Sequence, residues 1–137
     1  SVDSSYSEYT AAPVNDGVIH GEGLHWTKEA WASADSGKAH WIELKFPAPV
    51  SIGRASLYWS LDAGVPRTSQ EVQLQVPEGE GWRTVGTLKS SRPVPQSDLK
   101  LDQQVTSARF RLLQPEGKGP QTRPGLMWVR EVELFAQ

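Results

Sequence analysis

Two loops carry the residue types best suited to recognising a polyhydroxylated ligand. Trp26 lies in Gly21-Glu22-Gly23-Leu24-His25-Trp26-Thr27, with no alternation around it to direct the indole into a core. A flat aromatic face packs well against the axial C–H groups of a pyranose ring, burying apolar area at little ordering cost. The same ring could instead pin its own loop. Arg67 lies in Asp62-Ala63-Gly64-Val65-Pro66-Arg67-Thr68, and its planar fork can donate to two neighbouring hydroxyls at once. Asp62 could accept from the same diol, and His25 could donate or accept. Arg123, in Gln121-Thr122-Arg123-Pro124, would approach from a third loop. Taken singly, each reads as a solvated loop charge. Taken as a Trp–His–Arg–Asp set from loops at one end, they point to sugar hydroxyls.

Catalytic groups in a working arrangement are missing. His20-Gly21-Glu22 and the three histidines invite a metal or acid–base role. Their spacing, however, matches no pair of histidines on one helix face, and there is no Gly-x-Ser-x-Gly elbow or phosphate-binding glycine loop. Glu131 and Glu133 are two apart on one strand, so both should point to its outer face, with no opposing acid across a cleft. The chain is read as a non-enzyme.

The elements that must hold these loops are strands. Ile42, Leu44 and Phe46 alternate with Glu43 and Lys45, and Ala55, Leu57 and Trp59 alternate with Arg54, Ser56 and Tyr58. Val72, Leu74 and Val76 repeat the pattern, as do Ala108, Phe110 and Leu112, and finally Val132 and Leu134. Period-two alternation gives each strand one dry and one wet face, the signature of an antiparallel sandwich. Pro47-Ala48-Pro49 separates two strands too closely for a helix, and Pro77-Glu78-Gly79-Glu80-Gly81 reads as a hairpin turn. Residues 89–101, with Arg92-Pro93-Val94-Pro95, read as a crossing loop with at most one short strand. Three long loops remain, at 18–39, 60–69 and 115–126, and long loops on a rigid scaffold are where binding sits.

The bulk properties agree. With 137 residues, 37% hydrophobic and 22% charged, the chain is one domain with enough apolar material for a core. A net charge of −2 with scattered basic residues lacks the footprint of a nucleic-acid binder. No apolar run approaches the length of a membrane span, and Leu24-His25-Trp26-Thr27-Lys28 matches a membrane-attachment tip only faintly. Residues 1–10 read as a linker or N-terminal extension preceding a single domain over 11–137. No signal peptide is visible, and the polar start suggests a piece excised from a larger protein.

Val14-Asn15-Asp16-Gly17, Trp31-Ala32-Ser33, the strand His40-Trp41-Ile42-Glu43-Leu44-Lys45-Phe46 and the closing Val129-Arg130-Glu131-Val132-Glu133-Leu134-Phe135 together resemble the discoidin-like (coagulation factor 5/8 type C) family. That family includes the bacterial carbohydrate-binding modules of family 32 type. The resemblance covers roughly residues 11–136. It implies an all-β, antiparallel jelly-roll of about eight strands with galactose-binding-like topology. It also implies a monomeric, non-catalytic module tethered to a secreted or cell-surface bacterial enzyme, extracellular or periplasmic, that targets the enzyme to its polysaccharide. The alternative is a structural or protein-interaction domain that binds no sugar.

In this family Trp31, Trp41, Trp59 and Trp82 would be structural aromatics, and Trp128, just before the last strand, a loop aromatic at the sugar site. Arg67 resembles the loop arginine of galactose-type modules. Asp16 and Glu131 match positions that help bind a structural calcium. Hard Ca²⁺ takes six to eight oxygens, so loop carbonyls would have to complete the set. Glu29-Ala30-Trp31 departs from the family pattern, which often has Thr before this Trp, and the preceding loop is longer than usual. Both departures bear on the calcium site, and Asp16 and Glu131 could equally serve only a turn and a cap. The family's eukaryotic members carry a disulfide. This chain has no cysteine, which favours a bacterial source.

Overall fold

The computed structural model describes Val2 and residues 31–136. Among these residues there are eight β-strands and no helix. The strands are β1 (Trp31–Ala32), β2 (His40–Trp59), β3 (Leu61–Asp62), β4 (Val65–Pro66), β5 (Glu71–Glu78), β6 (Gly81–Lys89), β7 (Gln96–Gln114) and β8 (Trp128–Phe135). Six of them form one antiparallel sheet in the order β1-β8-β2-β7-β5-β6, and β3 and β4 form a small hairpin apart from it.

Two long strands turn this sheet into a sandwich. β2 and β7 pair along most of their 20 and 19 residues, with register breaks between Lys45 and Val50 and between Ile52 and Arg54. The first part of β2 pairs with the last part of β7, which also pairs with β5. The last part of β2 pairs with the start of β7 and with β8. The ladder therefore folds over at the break. Ile42, Leu44, Leu74, Phe110 and Leu112 from one layer meet Ala55, Leu57, Trp59, Leu99, Val129 and Val132 from the other in a single core.

Most of the expected phases are found: Val72, Leu74 and Val76 are buried, as are Ala55, Leu57 and Trp59. Two segments differ from expectation. Pro47-Ala48-Pro49 was expected to divide two strands. The backbone instead stays extended through the prolines, which lack an N–H and so interrupt the ladder without ending the strand. Within 89–101, read as a crossing loop with at most one short strand, residues 96–101 form the start of the long strand β7. Ser97, Leu99 and Leu101 are buried in strict alternation, and the Trp59 indole N–H donates to Ser97 Oγ at 2.8 Å. The signal was present but masked by the polar residues between.

Trp31 and Trp59 are core residues, in line with the structural role the resemblance implied. Trp41 is half-buried on the outward phase. Trp82 lies on the outer face, with the guanidinium carbons of Arg111 and Arg109 at 4.5 and 5.1 Å from its ring centre. Arg109 also bonds the largely buried Glu43 at 2.6 Å. Burial, which would raise the Glu43 pKa, is outweighed by this hydrogen bond and the arginine charge, so the carboxyl is held below its ordinary range.

The β3–β4 hairpin turns on Ala63 and Gly64, with φ of 51° and 78°. Two consecutive positive φ values define the tight turn whose twist suits a two-residue hairpin. Glycine adopts this conformation freely, whereas an alanine there costs about 1–2 kcal/mol. Ala63→Gly should therefore raise stability by up to about 1 kcal/mol, after its extra unfolded-state entropy is counted. Chemical denaturation checks this, and a lower midpoint for the variant would contradict the turn assignment.

Candidate functional site

The fold-over of β2 and β7 brings four connections to the opposite end of the sandwich: residues 33–39, 60–70, 90–95 and 115–127. At the head of the ladder, His40 and Gln114 face each other as cross-strand partners, and both are buried. Polar side chains in such a place must be satisfied, and the loops supply the partners. Gln114, 0% exposed, accepts from Ser69 Oγ at 2.5 Å and donates to the Leu126 carbonyl at 3.1 Å. His40 Nε2 lies 2.8 Å from the Gly125 carbonyl, which can only accept, so this nitrogen carries the proton.

Farther out, hydrogen bonds close a ring around a cleft of about 80 Å³. Thr68 Oγ1 donates to the Val94 carbonyl and accepts from the Val94 N–H, which pins loop 60–70 to loop 90–95. Gln121 Nε2 donates to the Ser91 carbonyl at 2.9 Å, pinning loop 115–127 to the same segment. Arg67 Nη1 donates to Thr122 Oγ1 at 2.8 Å and completes the ring. The third loop is itself tightly wound. Gly119 N–H donates to the Pro124 carbonyl, and a Cβ on Gly119 would lie 2.3 Å from the Leu126 carbonyl oxygen. Only glycine fits there, and the turn it permits is what delivers Thr122.

Arg67 is the central side chain. Its Nη2 bonds Asp62 Oδ2 at 2.9 Å, and the β3–β4 hairpin presents both residues. The side chain is 19% exposed, and its Nε lies buried without a hydrogen-bond partner. A buried donor left unmatched costs about 1–3 kcal/mol, so the guanidinium is held fixed at some expense and with donor capacity unused.

Of the other expected site residues, Arg123 bonds Asp35 of the first loop at 2.7 Å. Trp128 differs from expectation. It is 9% exposed at the start of β8, opposite Ala32 and packed with Ala32 and Leu126, so its ring offers no open stacking face. Glu131 keeps the face it shares with Glu133 but is buried there, not exposed as expected. The bulge opposite Tyr58 and Trp59 lies before it, at Arg130; from Glu131 onward the register with β2 is unbroken, and Glu131 is 1% exposed. Trp26, His25 and Asp16 lie outside the described residues. Among the described residues no three His, Cys, Asp or Glu side chains form a metal-binding group, and Glu131 is the member of the expected calcium pair that they include.

Sequence reasoning singled out Arg67 and Asp62, which the structure brings together, but not Thr122, Gln114, His40 or the cleft lining of Ser90, Arg92 and Pro93. Arg92-Pro93-Val94-Pro95 had been read only as a connection. The two prolines, which stiffen a loop without occupying its neighbours' carbonyls, were the available signal.

No protein-family model matches the chain, and no curated protein matches it by sequence. Solved structures do match. The CBM32-5 domain of a GH89 protein from Clostridium perfringens, in complex with GalNAc-β-1,3-galactose, superposes with a TM-score of 0.76 at 16% identity, over 99% of this chain and 93% of that one. The family 32 module of NanJ from C. perfringens, in complex with galactose, gives 0.75 at 9% identity, over 98% and 90%. Chitosan-binding module 2 of a chitosanase/glucanase from Paenibacillus sp. IK-5, in complex with chitotriose, gives 0.70 at 17%, over 98% and 93%. Identities this low speak for architecture alone. The chain has the discoidin-like, galactose-binding-type jelly-roll fold of the family 32 carbohydrate-binding modules.

Proposed function

We propose that this chain is a non-catalytic carbohydrate-binding module whose ligand sits at the loop end, against Arg67. One observation carries the reading: a guanidinium oriented from two sides by Asp62 and Thr122, inside a cleft whose three walls are hydrogen-bonded to one another. A donor group already held in place loses little entropy on binding, which is how a shallow, wet site obtains useful affinity. The fold adds support, because structural neighbours were solved with galactose, GalNAc-β-1,3-galactose and chitotriose. Arg67 would donate to neighbouring hydroxyls, Asp62 would hold it and accept from a hydroxyl at its exposed edge, and Trp26 and His25 would approach from the first loop.

The biological role that fits is targeting. Tethered to a secreted bacterial glycan-active enzyme, a weak module raises the enzyme's local concentration on its polysaccharide without any chemistry of its own. A structural calcium belongs to the same proposal, with Glu131 as one carboxylate donor. A buried carboxylate suits a hard cation that takes oxygen ligands.

A glycan array with the purified chain and Arg67→Ala tests the binding site. Wild type should retain one glycan class, and the folded variant should bind it roughly 10–100-fold more weakly, as expected for losing a charged hydrogen-bond donor. A folded wild type that binds nothing on a broad array would leave the structural or protein-interaction domain as the better reading. Calcium is tested separately by thermal melting with and without EDTA. Chelation should lower Tm in wild type but not in Glu131→Gln, and identical melting of wild type in both conditions would remove calcium from the account.

A further inference from the structure

The cleft around Arg67 has a charge bias that neither the fold nor its neighbours dictate. Among the residues lining it, the charged side chains are Arg67 and Arg92, with no carboxylate. Asp62 already matches Arg67. Arg92 is exposed on the opposite wall and has no ion-pair partner among the described residues. Its position is set by its neighbours: Ser91 is held by Gln121, Val94 is held by Thr68, and Pro93 stiffens the chain between. An unpaired arginine on a braced segment therefore lines the same cleft as an anchored one.

The size of that space also restricts the ligand. About 80 Å³ falls well short of the several hundred Å³ of a pocket that encloses a whole small molecule. A sugar lying across its open mouth would seat a substituent there. A substituent that is small, rich in acceptor oxygens and negatively charged fits two arginines best, because guanidinium forks match carboxylate and sulfate oxygens in pairs.

We infer that the cleft receives the anionic group of an acidic glycan, a uronate carboxylate or a sulfate ester, with Arg92 supplying the unmatched charge and Arg67 the fixed hydrogen bonds. The inference rests on the carbohydrate-binding reading above and names the ligand class for the same site. It sets this chain apart from its neighbour solved with chitotriose, since the ammonium groups of a glucosamine chain would be repelled by the two guanidiniums.

Calorimetric titration of the intact chain with tri-galacturonic acid, a 6-sulfated galactose disaccharide and neutral galactobiose tests this. The two anionic probes separate carboxylate from sulfate as the source of the charge. At least one should bind about fivefold to tenfold tighter than the neutral sugar at low salt, and the preference should shrink as NaCl screens it. Arg92→Gln should bring the anionic-to-neutral ratio close to one. Arg83→Gln, which removes the same charge from β6, where Arg83 pairs with Glu78 of β5, should leave the ratio unchanged. Neutral and anionic sugars binding equally to wild type, with binding still lost in Arg67→Ala, would overturn the anionic preference and leave the carbohydrate reading standing. A ratio that falls equally in Arg83→Gln and Arg92→Gln would reduce the effect to overall charge and also overturn it. No binding of any probe by the folded chain would overturn both.

Discussion

The loop end of this sandwich is organised by one buried amide. Gln114 closes β7 at the head of the longest ladder in the molecule, fully out of solvent, and its oxygen and nitrogen each reach a different loop. Inside a protein such an amide is strongly bonded or strongly destabilising, because water cannot replace a lost partner. The loops carrying Ser69 and Leu126 are therefore held in one arrangement, and His40 across the ladder repeats the constraint at Gly125. The outer ring of bonds through Thr68, Gln121 and Arg67 is built on that foundation. Without it, a loop of thirteen residues between β7 and β8 would have no reason to put Thr122 beside Arg67.

The architecture was largely legible because its physics is local. Residues 42–46, 55–59, 72–76 and 108–112 write their apolar side chains into a period of two, and that pattern calls for sheets with one dry face. Reading failed where one local rule was overridden by another. At 96–101 polar residues hid the alternation of Ser97, Leu99 and Leu101. In β8 Glu131 shares its face with Glu133, as the spacing predicts, yet it is buried, because what covers a sheet face is not written in the strand itself. Trp128 looked like a loop residue because it follows Gly125, but it already belongs to a strand that pairs with β1.

The site was legible in its residue types and not in its geometry. Asp62 and Arg67 sit five apart, and only the two-residue turn at Ala63 and Gly64 converts that spacing into a contact of 2.9 Å. Thr122 is 55 residues from Arg67, and Ser91 is 30 from Gln121, so no window along the chain could have joined them. Arg123 and Arg67 looked equivalent as loop arginines. The structure separates them by partner: Arg123 ties the third loop to Asp35, whereas Arg67 faces the cleft.

On the proposed reading, the ligand sits at the loop end of the sandwich, in the small cleft beside Arg67. The outer sheet face around Trp82, Arg109 and Arg111 is the contrasting location, since it too combines an aromatic ring with guanidiniums. A two-dimensional NMR titration with galactose and with tri-galacturonic acid distinguishes them most directly. Saturable shifts at the amides of Arg67, Thr68, Gln70, Ser91 and Thr122, with the Trp82 indole unmoved, are the predicted result. Shifts centred on Trp82 and Arg111, with the loop end silent, would contradict it.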